Sequence, residues 1–342
     1  MAPQKNKRRK REVVGSRTLP KPYLDQDFKK LRKSCITTSV KFTDEKFPAD
    51  RRSIGSGLLS STNMGTVVWK RPPELVDNPC LIVDGESRFD YSQGDLGNCW
   101  FLAAIGAITL QKDIMDQVIP TDQSFQKDYA GIFHFRFCYN GKWVDVVVDD
   151  QLPTLNGKLI FVHCKTMNEF WPALLEKAYA KLFGSYAALH GGYISDGLRD
   201  FTGGAYRIYN LRNAPNNMWD LMDQAVKKQA LMGCGTPQGR TSANTVLPNG
   251  IVEGHAYTVT GVTKVQSQLQ LVKLVRVLNP WGEGEWKGDW SDKSPLWNEV
   301  SPDDYKTWLE DKNNGEFWMS MGDFCKSFDE LDICCITPDF LI

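Results

Sequence analysis

One segment constrains this chain more than any other: a glycine-bearing turn at residues 93–98 runs into Cys99 and a twelve-residue apolar stretch. That stretch, residues 99–110, is too short to span a bilayer and suits a buried helix. Cys99 would then stand at a helix N-terminus, where the positive end of the helix dipole favours thiolate over thiol. Because a thiolate is a nucleophile, the segment predicts a fold built around a reactive cysteine.

A nucleophilic cysteine needs a base within hydrogen-bond distance. The chain offers four candidates: His134, His163, His190 and His255. His255 begins a β-branched strand between Gly254 and Ala256, whose small side chains would let a substrate backbone approach the imidazole. Taken alone, each of the four histidines is explained better by a structural role.

Asn279 favours His255 over the other three histidines. It follows a predicted strand, and its amide oxygen could accept a hydrogen bond from the His255 ring and fix the tautomer. Cys99, His255 and Asn279 then occur in the chain order of a papain-type cysteine protease. Trp281 could shield the His255–Asn279 hydrogen bond from water, and Gln93 could donate to an oxyanion together with the backbone N–H of Cys99.

The composition and net charge of the chain exclude several classes of protein. Across 342 residues the formal net charge is zero, so no global field favours nucleic acid or an anionic membrane. There is no transmembrane stretch, and the basic, polar N-terminus does not form a signal peptide. The nine cysteines are odd in number and include no Cys-x-x-Cys pair, which favours free thiols in a reducing compartment. We therefore expect a cytoplasmic protein.

The predicted elements indicate an α+β fold in two parts. Residues 131–137 and 142–149 alternate like strands around Asn140-Gly141, a strong hairpin signal. Helices are predicted at 24–35, 169–182 and 218–229, and strands at 159–162, 256–262, 269–278, 316–321 and 331–337. We expect a basic tail over 1–23, a helix-rich subdomain over 24–203 and a strand-rich, barrel-like subdomain over 204–342.

Three motifs carry a family resemblance: Gln-Gly-Asp-Leu-Gly-Asn-Cys-Trp at 93–100, Gly-His-Ala-Tyr-Thr-Val-Thr-Gly-Val at 254–262 and Asn-Pro-Trp-Gly at 279–282. With stretches at 47–49, 69–72, 129–135, 148–153, 168–171, 175–182 and 315–320, they resemble the calpain cysteine protease core over roughly residues 24–335. The resemblance implies a papain-like fold with its cleft between two subdomains. Cys99 would lie on the first subdomain, and His255 and Asn279 on the second.

The resemblance also implies two calcium ions, one in each subdomain; the residues alone do not predict a metal. The matching positions are Val83, Gly85, Asp90 and Glu169 in the first, and Glu285, Asp292, Lys312, Asn314 and Glu316 in the second. Val83, Gly85 and Lys312 would offer backbone carbonyls. Asn314 stands where the family usually has Asp, which should weaken the second site. Arg88 and Glu316 match a pair that links the two halves in the active form.

The resemblance implies an intracellular, calcium-dependent endopeptidase that makes limited cuts in protein substrates through a thioester intermediate. Its expected partners also include an endogenous inhibitor or regulatory subunit, and exclude nucleic acid. Two alternatives stay open: a calcium-dependent transglutaminase-like acyl transferase and a non-catalytic scaffold with the same fold. Asn98 replaces an Asp common in the family, with little effect expected on chemistry. Many calpains carry further C-terminal domains, so we expect either a truncation or a short form.

Overall fold

The computed structural model describes residues 13–240, 244–268, 270–309 and 313–336. We call the described residues up to 203 the first half and those from 204 the second half. The first half carries the helices α1 to α7: Phe28–Thr38, Arg51–Ile54, Ser61–Thr66, Cys99–Ile108, Lys112–Val118, Trp171–Phe183 and Ile194–Thr202. The second half carries α8 to α10: Met218–Lys227, Pro302–Trp308 and Met321–Ser327.

The strands of the first half form three small sheets. They are β1 to β8: Lys21–Pro22, Val68–Lys70, Tyr91–Ser92, Ile132–Tyr139, Lys142–Asp149, Leu152–Leu155, Lys158–Leu159 and His163–Cys164. β1, β5 and β4 form one sheet, β2, β6 and β7 a second, and β3 and β8 a third. The largest apolar core of the described residues packs α4, α6 and α7 against the β4–β5 hairpin.

The second half is dominated by one six-stranded sheet. Its strands β9 to β14 are Ala205–Asn210, Leu231–Gly235, Ala256–Ser267, Gln270–Leu278, Glu316–Ser320 and Glu330–Cys335, in the order β13-β12-β11-β10-β14-β9. All of its pairings are antiparallel. This arrangement places the start of β11 beside the end of β12, because Thr258 pairs with Leu278.

The structure is a mixed α+β fold, as the sequence predicted. The hairpin around Asn140 is confirmed, with Asn140 and Gly141 both at positive φ. Helix α1 begins at Phe28 and not at 24, because the Asp27 side chain caps it by accepting from the N–H of Lys30 at 2.9 Å, while Leu24 has a left-handed φ of 51°. The predicted strand at 159–162 is wrong beyond Leu159, where β7 ends.

The predicted division of the chain stays a prediction. Gly203 ends α7 in a left-handed conformation and β9 begins at Ala205. The proposed boundary therefore falls in the connection between α7 and β9. Residues 1–12 of the predicted tail lie outside the described residues, whereas residues 13–23 include β1, which pairs with β5. Among the helices described, none has the length and apolar character needed to cross a bilayer.

Candidate active site

Cys99 is the first residue of α4, whose remaining residues are all buried. The turn before it is held against the 160–162 segment, where the N–H of Asp95 donates to the Ile160 carbonyl at 2.9 Å. Gly94 makes this approach feasible, because a Cβ there would lie 2.3 Å from the Phe161 carbonyl oxygen. The start of α4, and with it the thiol, is thereby fixed in the first half.

His255 and Asn279 meet at the neighbouring ends of β11 and β12. His255 Nε2 and Asn279 Oδ1 are 2.8 Å apart, and both residues are buried. Asn279 Oδ1 also accepts from the N–H of Trp281 at 3.1 Å, so that atom is the acceptor and the ring nitrogen the donor. His255 Nδ1 is thus the basic nitrogen, and within the described chain it has no hydrogen-bond partner.

Asn279 is itself held firmly. Its backbone N–H donates to the Gly315 carbonyl at 2.8 Å, and its Nδ2 donates to the Gly284 carbonyl at 3.0 Å. Trp281 covers the pair, with its ring 4.7 Å from the His255 ring and tilted by 45°. The sequence predicted these neighbours of His255, and the structure brings all three side chains together.

Cys99 and His255 line the same cavity, which has a volume of about 560 Å³. Its walls come from both halves, including Gly192 and Tyr193 from the first and Gly235 from the second. The nucleophile candidate and the base candidate therefore share a space large enough for a short peptide segment.

Burial keeps both reactive groups neutral. It raises the pKa of the Cys99 thiol, although backbone N–H groups of Ala256, Trp100 and Cys99 itself favour the thiolate. Burial also lowers the pKa of His255 to about 4, against the opposing hydrogen bond to Asn279. The expected effect of the helix terminus is present, but desolvation outweighs it. In this state the thiol holds its proton and the imidazole can accept it.

Gln93 lies in the turn before Cys99, where its Nε2 donates to the Leu96 carbonyl at 2.6 Å. One hydrogen of this amide is therefore engaged within the turn, and the other is left for a second acceptor. Its buried Oε1 has no hydrogen-bond partner within the described chain.

At the first predicted calcium position, two carboxylates lie in neighbouring loops. Glu169 Oε1 accepts from the N–H of Val83 at 2.8 Å, and Asp90 Oδ2 accepts from the N–H of Ser87 at 2.5 Å. Burial, together with the negative charge of Asp90, raises the pKa of Glu169 to about 7. Gly85, in the loop that carries Asp90, has a φ of 92°. Two carboxylates whose negative charges act on each other fit a hard cation.

At the second predicted calcium position, backbone N–H groups of the protein already donate to the side-chain oxygens. Glu285 Oε1 accepts from the N–H groups of Asn314 and Gly315, both at 2.9 Å. Asn314 Oδ1 accepts from the N–H of Glu316 at 2.9 Å. Asp292, Asn314 and Glu316 border a cavity of about 50 Å³. Lys312 lies outside the described residues.

Arg88 forms an ion pair with the carboxylate of Glu316. Its Nε and Nη2 donate to the two oxygens of Glu316, both at 2.8 Å, which joins the halves as the resemblance implied. Within the described ranges, no group of three or more His, Cys, Asp or Glu side chains is arranged to hold a metal ion. Either position would therefore need backbone carbonyls, an amide oxygen or water to complete a calcium shell.

Sequence reasoning missed Glu176. This fully buried side chain accepts from Asn98 Nδ2 at 2.7 Å and from the N–H of Val162 at 3.0 Å, directly behind the residue that precedes Cys99. Its signal in the sequence is weak, because a Glu beside Lys177 in a predicted helix is usually solvated.

A family of sequences described as calpain family cysteine protease matches residues 42–335. The chain is 48% identical over 333 residues to calpain-8 of Rattus norvegicus, covering 96% of this chain and 47% of the relative. It is 47% identical over 334 residues to the calpain-2 catalytic subunit of Bos taurus, covering 96% and 48%. The calpain-1 catalytic subunit of Mus musculus is 47% identical over 343 residues, covering 99% and 48%. The chain spans about half the length of these curated relatives.

Proposed function

The chain belongs to the calpain family of cysteine proteases, and from this premise we propose that it is a calcium-dependent cysteine endopeptidase. Its nucleophile is Cys99, its base is His255 and its orienting residue is Asn279. The observation that carries the proposal is the 2.8 Å contact between His255 and Asn279, which leaves Nδ1 as the basic nitrogen in a residue that lines a cavity with Cys99.

The proposed reaction follows from the protonation states of the site. His255 Nδ1 accepts the Cys99 proton as the sulfur attacks a peptide carbonyl carbon. The Cys99 N–H and the second amide hydrogen of Gln93 stabilise the oxyanion. The imidazolium then gives its proton to the leaving amine, the carbon–nitrogen bond breaks and a thioester remains. Water hydrolyses the thioester, with His255 again taking a proton and returning it to the sulfur. Trp281 keeps bulk water from the His255–Asn279 bond.

The proposal also includes the two subdomains and the two calcium sites. The two halves are the subdomains of a papain-like fold divided at 203/204, with residues 1–23 as a basic tail. Asp90 and Glu169, with carbonyls of Val83 and Gly85, would hold one calcium ion. The second would be held by Glu285, Asp292, Asn314, Glu316 and the Lys312 carbonyl. Bound calcium would supply positive charge that offsets these carboxylates and favours one alignment of the halves.

The expected substrates are extended segments of other proteins in the cytoplasm, where free thiols persist. An endogenous inhibitor or a regulatory subunit would recognise the same cleft or the surface around it.

The test is cleavage of casein across a calcium titration, with Cys99→Ser as the variant. We expect calcium-dependent fragments from the wild type and none from Cys99→Ser, because a serine hydroxyl beside a neutral imidazole lacks the nucleophilicity of the thiol. Cys35→Ser, a half-buried thiol on α1, is the matched control and should cleave as the wild type does.

Calcium-dependent proteolysis by the pure Cys99→Ser protein would refute the assignment. Incorporation of a primary amine into casein, without cleavage, would indicate the acyl transferase. Neither activity at any calcium concentration would indicate the scaffold.

A further inference from the structure

One face of α4 carries the nucleophile and two further small residues. Cys99, Ala103 and Gly106 are spaced by four and three positions, so they follow one another along the same side of the helix. This side lies against β11, the strand that begins immediately after His255. The helix that presents the thiol therefore packs directly on the strand that presents the imidazole.

A buried hydrogen bond joins the two elements one turn from Cys99. Thr258 Oγ1 donates to the Ala103 carbonyl at 2.7 Å, and both residues are fully buried. Alternate residues of a strand share a face, so Ala256 and Thr258 point to the same side of β11. Ala256 also lines the cavity that holds Cys99, and its backbone N–H favours the Cys99 thiolate. The two elements thus meet at successive points along their length.

Gly106 provides the space for this contact. A Cβ at position 106 would lie 2.5 Å from Thr258 Oγ1 and 2.9 Å from the Tyr91 hydroxyl oxygen. Both distances are shorter than real Cβ contacts, so any larger side chain would force Thr258 or Tyr91 to shift. The tyrosine hydroxyl is itself held by a 2.8 Å hydrogen bond to the Leu102 carbonyl.

We propose that Thr258 and Gly106 are positioning residues that set the register of β11 on α4, and with it the separation of the Cys99 thiol from the His255 imidazole. This inference rests on the proposed function, because it assigns a role in the reaction of that same pair. A displacement of about 1 Å between reacting groups can lower a rate by about a hundredfold, so a contact that fixes their register governs kcat more than KM.

The first experiment replaces the hydroxyl while keeping the shape. Thr258→Val should lower kcat for a peptide substrate about tenfold with KM within about twofold of the wild type. Thr154→Val is the matched control, since Thr154 is also buried and donates to the Val68 carbonyl at 2.6 Å, but within the first half. The control loses a comparable hydrogen bond and should keep its kcat. Equal kcat values for wild type and Thr258→Val would overturn the inference.

The second experiment tests the contact by rescue. Gly106→Ala should lower kcat further than Thr258→Val, because the new methyl group meets Thr258 Oγ1. Thr258→Ala removes that oxygen, so Gly106→Ala/Thr258→Ala should be several-fold more active than Gly106→Ala alone. The rescue is partial, because the Tyr91 hydroxyl stays close. A double variant no more active than Gly106→Ala would contradict the proposed contact.

A third measurement separates failure of this inference from failure of the proposed function. The rate of Cys99 alkylation by iodoacetamide, followed by mass spectrometry, reports how well the imidazole activates the thiol without any peptidase assay. Thr258→Val should slow alkylation several-fold and Thr154→Val should not. If the wild type cleaves nothing, the proposed function fails. Equal alkylation rates for wild type and Thr258→Val would then overturn the positioning role as well.

Discussion

A buried carboxyl group stands directly behind the residue that precedes Cys99. Glu176 makes hydrogen bonds to Asn98 Nδ2 and to the N–H of Val162, and burial raises its pKa to about 8. Near neutral pH the group is therefore mostly protonated. A neutral carboxyl leaves the positive end of α4 unopposed by a nearby negative charge, which suits an incipient thiolate.

This environment makes stability depend on pH in a definite direction. In the unfolded chain Glu176 would titrate near its ordinary pKa of about 4.3. The folded protein therefore binds more protons than the unfolded chain between about pH 4.3 and 8. The contribution of protonated Glu176 to the free energy of unfolding is fully present below that window and is lost as pH rises through about 8. Glu176→Gln should flatten the fall in Tm between pH 5 and 8.5.

Thermal unfolding across that pH range would measure this change, with the exposed Glu45→Gln as control. The control should follow the wild-type curve. Parallel curves for Glu176→Gln and the wild type would show that this carboxyl does not carry the effect.

At the site, the residue types and their order predicted which side chains meet. His255, Asn279 and Trp281 come together as the sequence indicated, and their catalytic roles stay predictions. The direction of the Cys99 pKa did not follow from the sequence. A helix terminus is visible in a sequence, whereas the depth at which it is buried depends on the opposing strand, which is distant in the chain.

Helix α6, Trp171–Phe183, buries its charged residues as well as its apolar ones. Its four-residue periodicity predicted the helix, and charged residues in such a helix ordinarily face solvent. Lys177 Nζ instead donates to Asp149 Oδ1 at 2.6 Å, and Lys181 Nζ donates to Asp44 Oδ2 at 2.6 Å. Those carboxylates come from distant segments, so no local pattern could reveal that α6 would be covered on all sides.

Removing one member of such a pair leaves the other charge buried without its partner. Lys177→Met should lower the free energy of unfolding by about 3–5 kcal/mol, because Asp149 remains fully buried without its cation. Urea unfolding would measure the loss. Lys177→Met/Asp149→Asn should recover part of it, since the amide carries no charge.

The matched control is Lys112→Met, which removes an exposed lysine paired with Asp116 one helical turn away. It should unfold as the wild type does. A Lys177→Met protein as stable as this control would show that α6 does not depend on its buried ion pair.

At the scale of the whole molecule, polar contacts supplement the packing of the two described halves, and three of them near the turn after Asn279 add to the Thr258–Ala103 hydrogen bond. Arg88 binds Glu316, Ser92 Oγ donates to the Trp281 carbonyl at 3.0 Å and Lys165 Nζ donates to the Gly282 carbonyl at 2.9 Å. Two of them end on the turn that follows Asn279. The alignment of the halves is thereby coupled to the residue that orients His255.

The bidentate contact should be sensitive to the shape of the cation and not only to its charge. Arg88→Lys keeps the charge but loses the fork that matches the two oxygens of Glu316. We expect peptidase activity at limiting calcium to fall about tenfold and the calcium concentration for half-maximal rate to rise. Arg52→Lys, at an exposed pair with Asp50, should change neither quantity. An Arg88→Lys calcium titration that overlays the wild type would contradict this role.

In the part of the chain that the structure describes, no sheet takes strands from both halves, since the small sheets hold β1 to β8 and the large sheet holds β9 to β14. A polypeptide severed near residue 203 would thus yield one piece that owns the sulfur and another that owns the imidazole. Under the proposed mechanism, neither piece would hold the complete set of Cys99, His255 and Asn279, so peptide hydrolysis would require both pieces to be made and to dock.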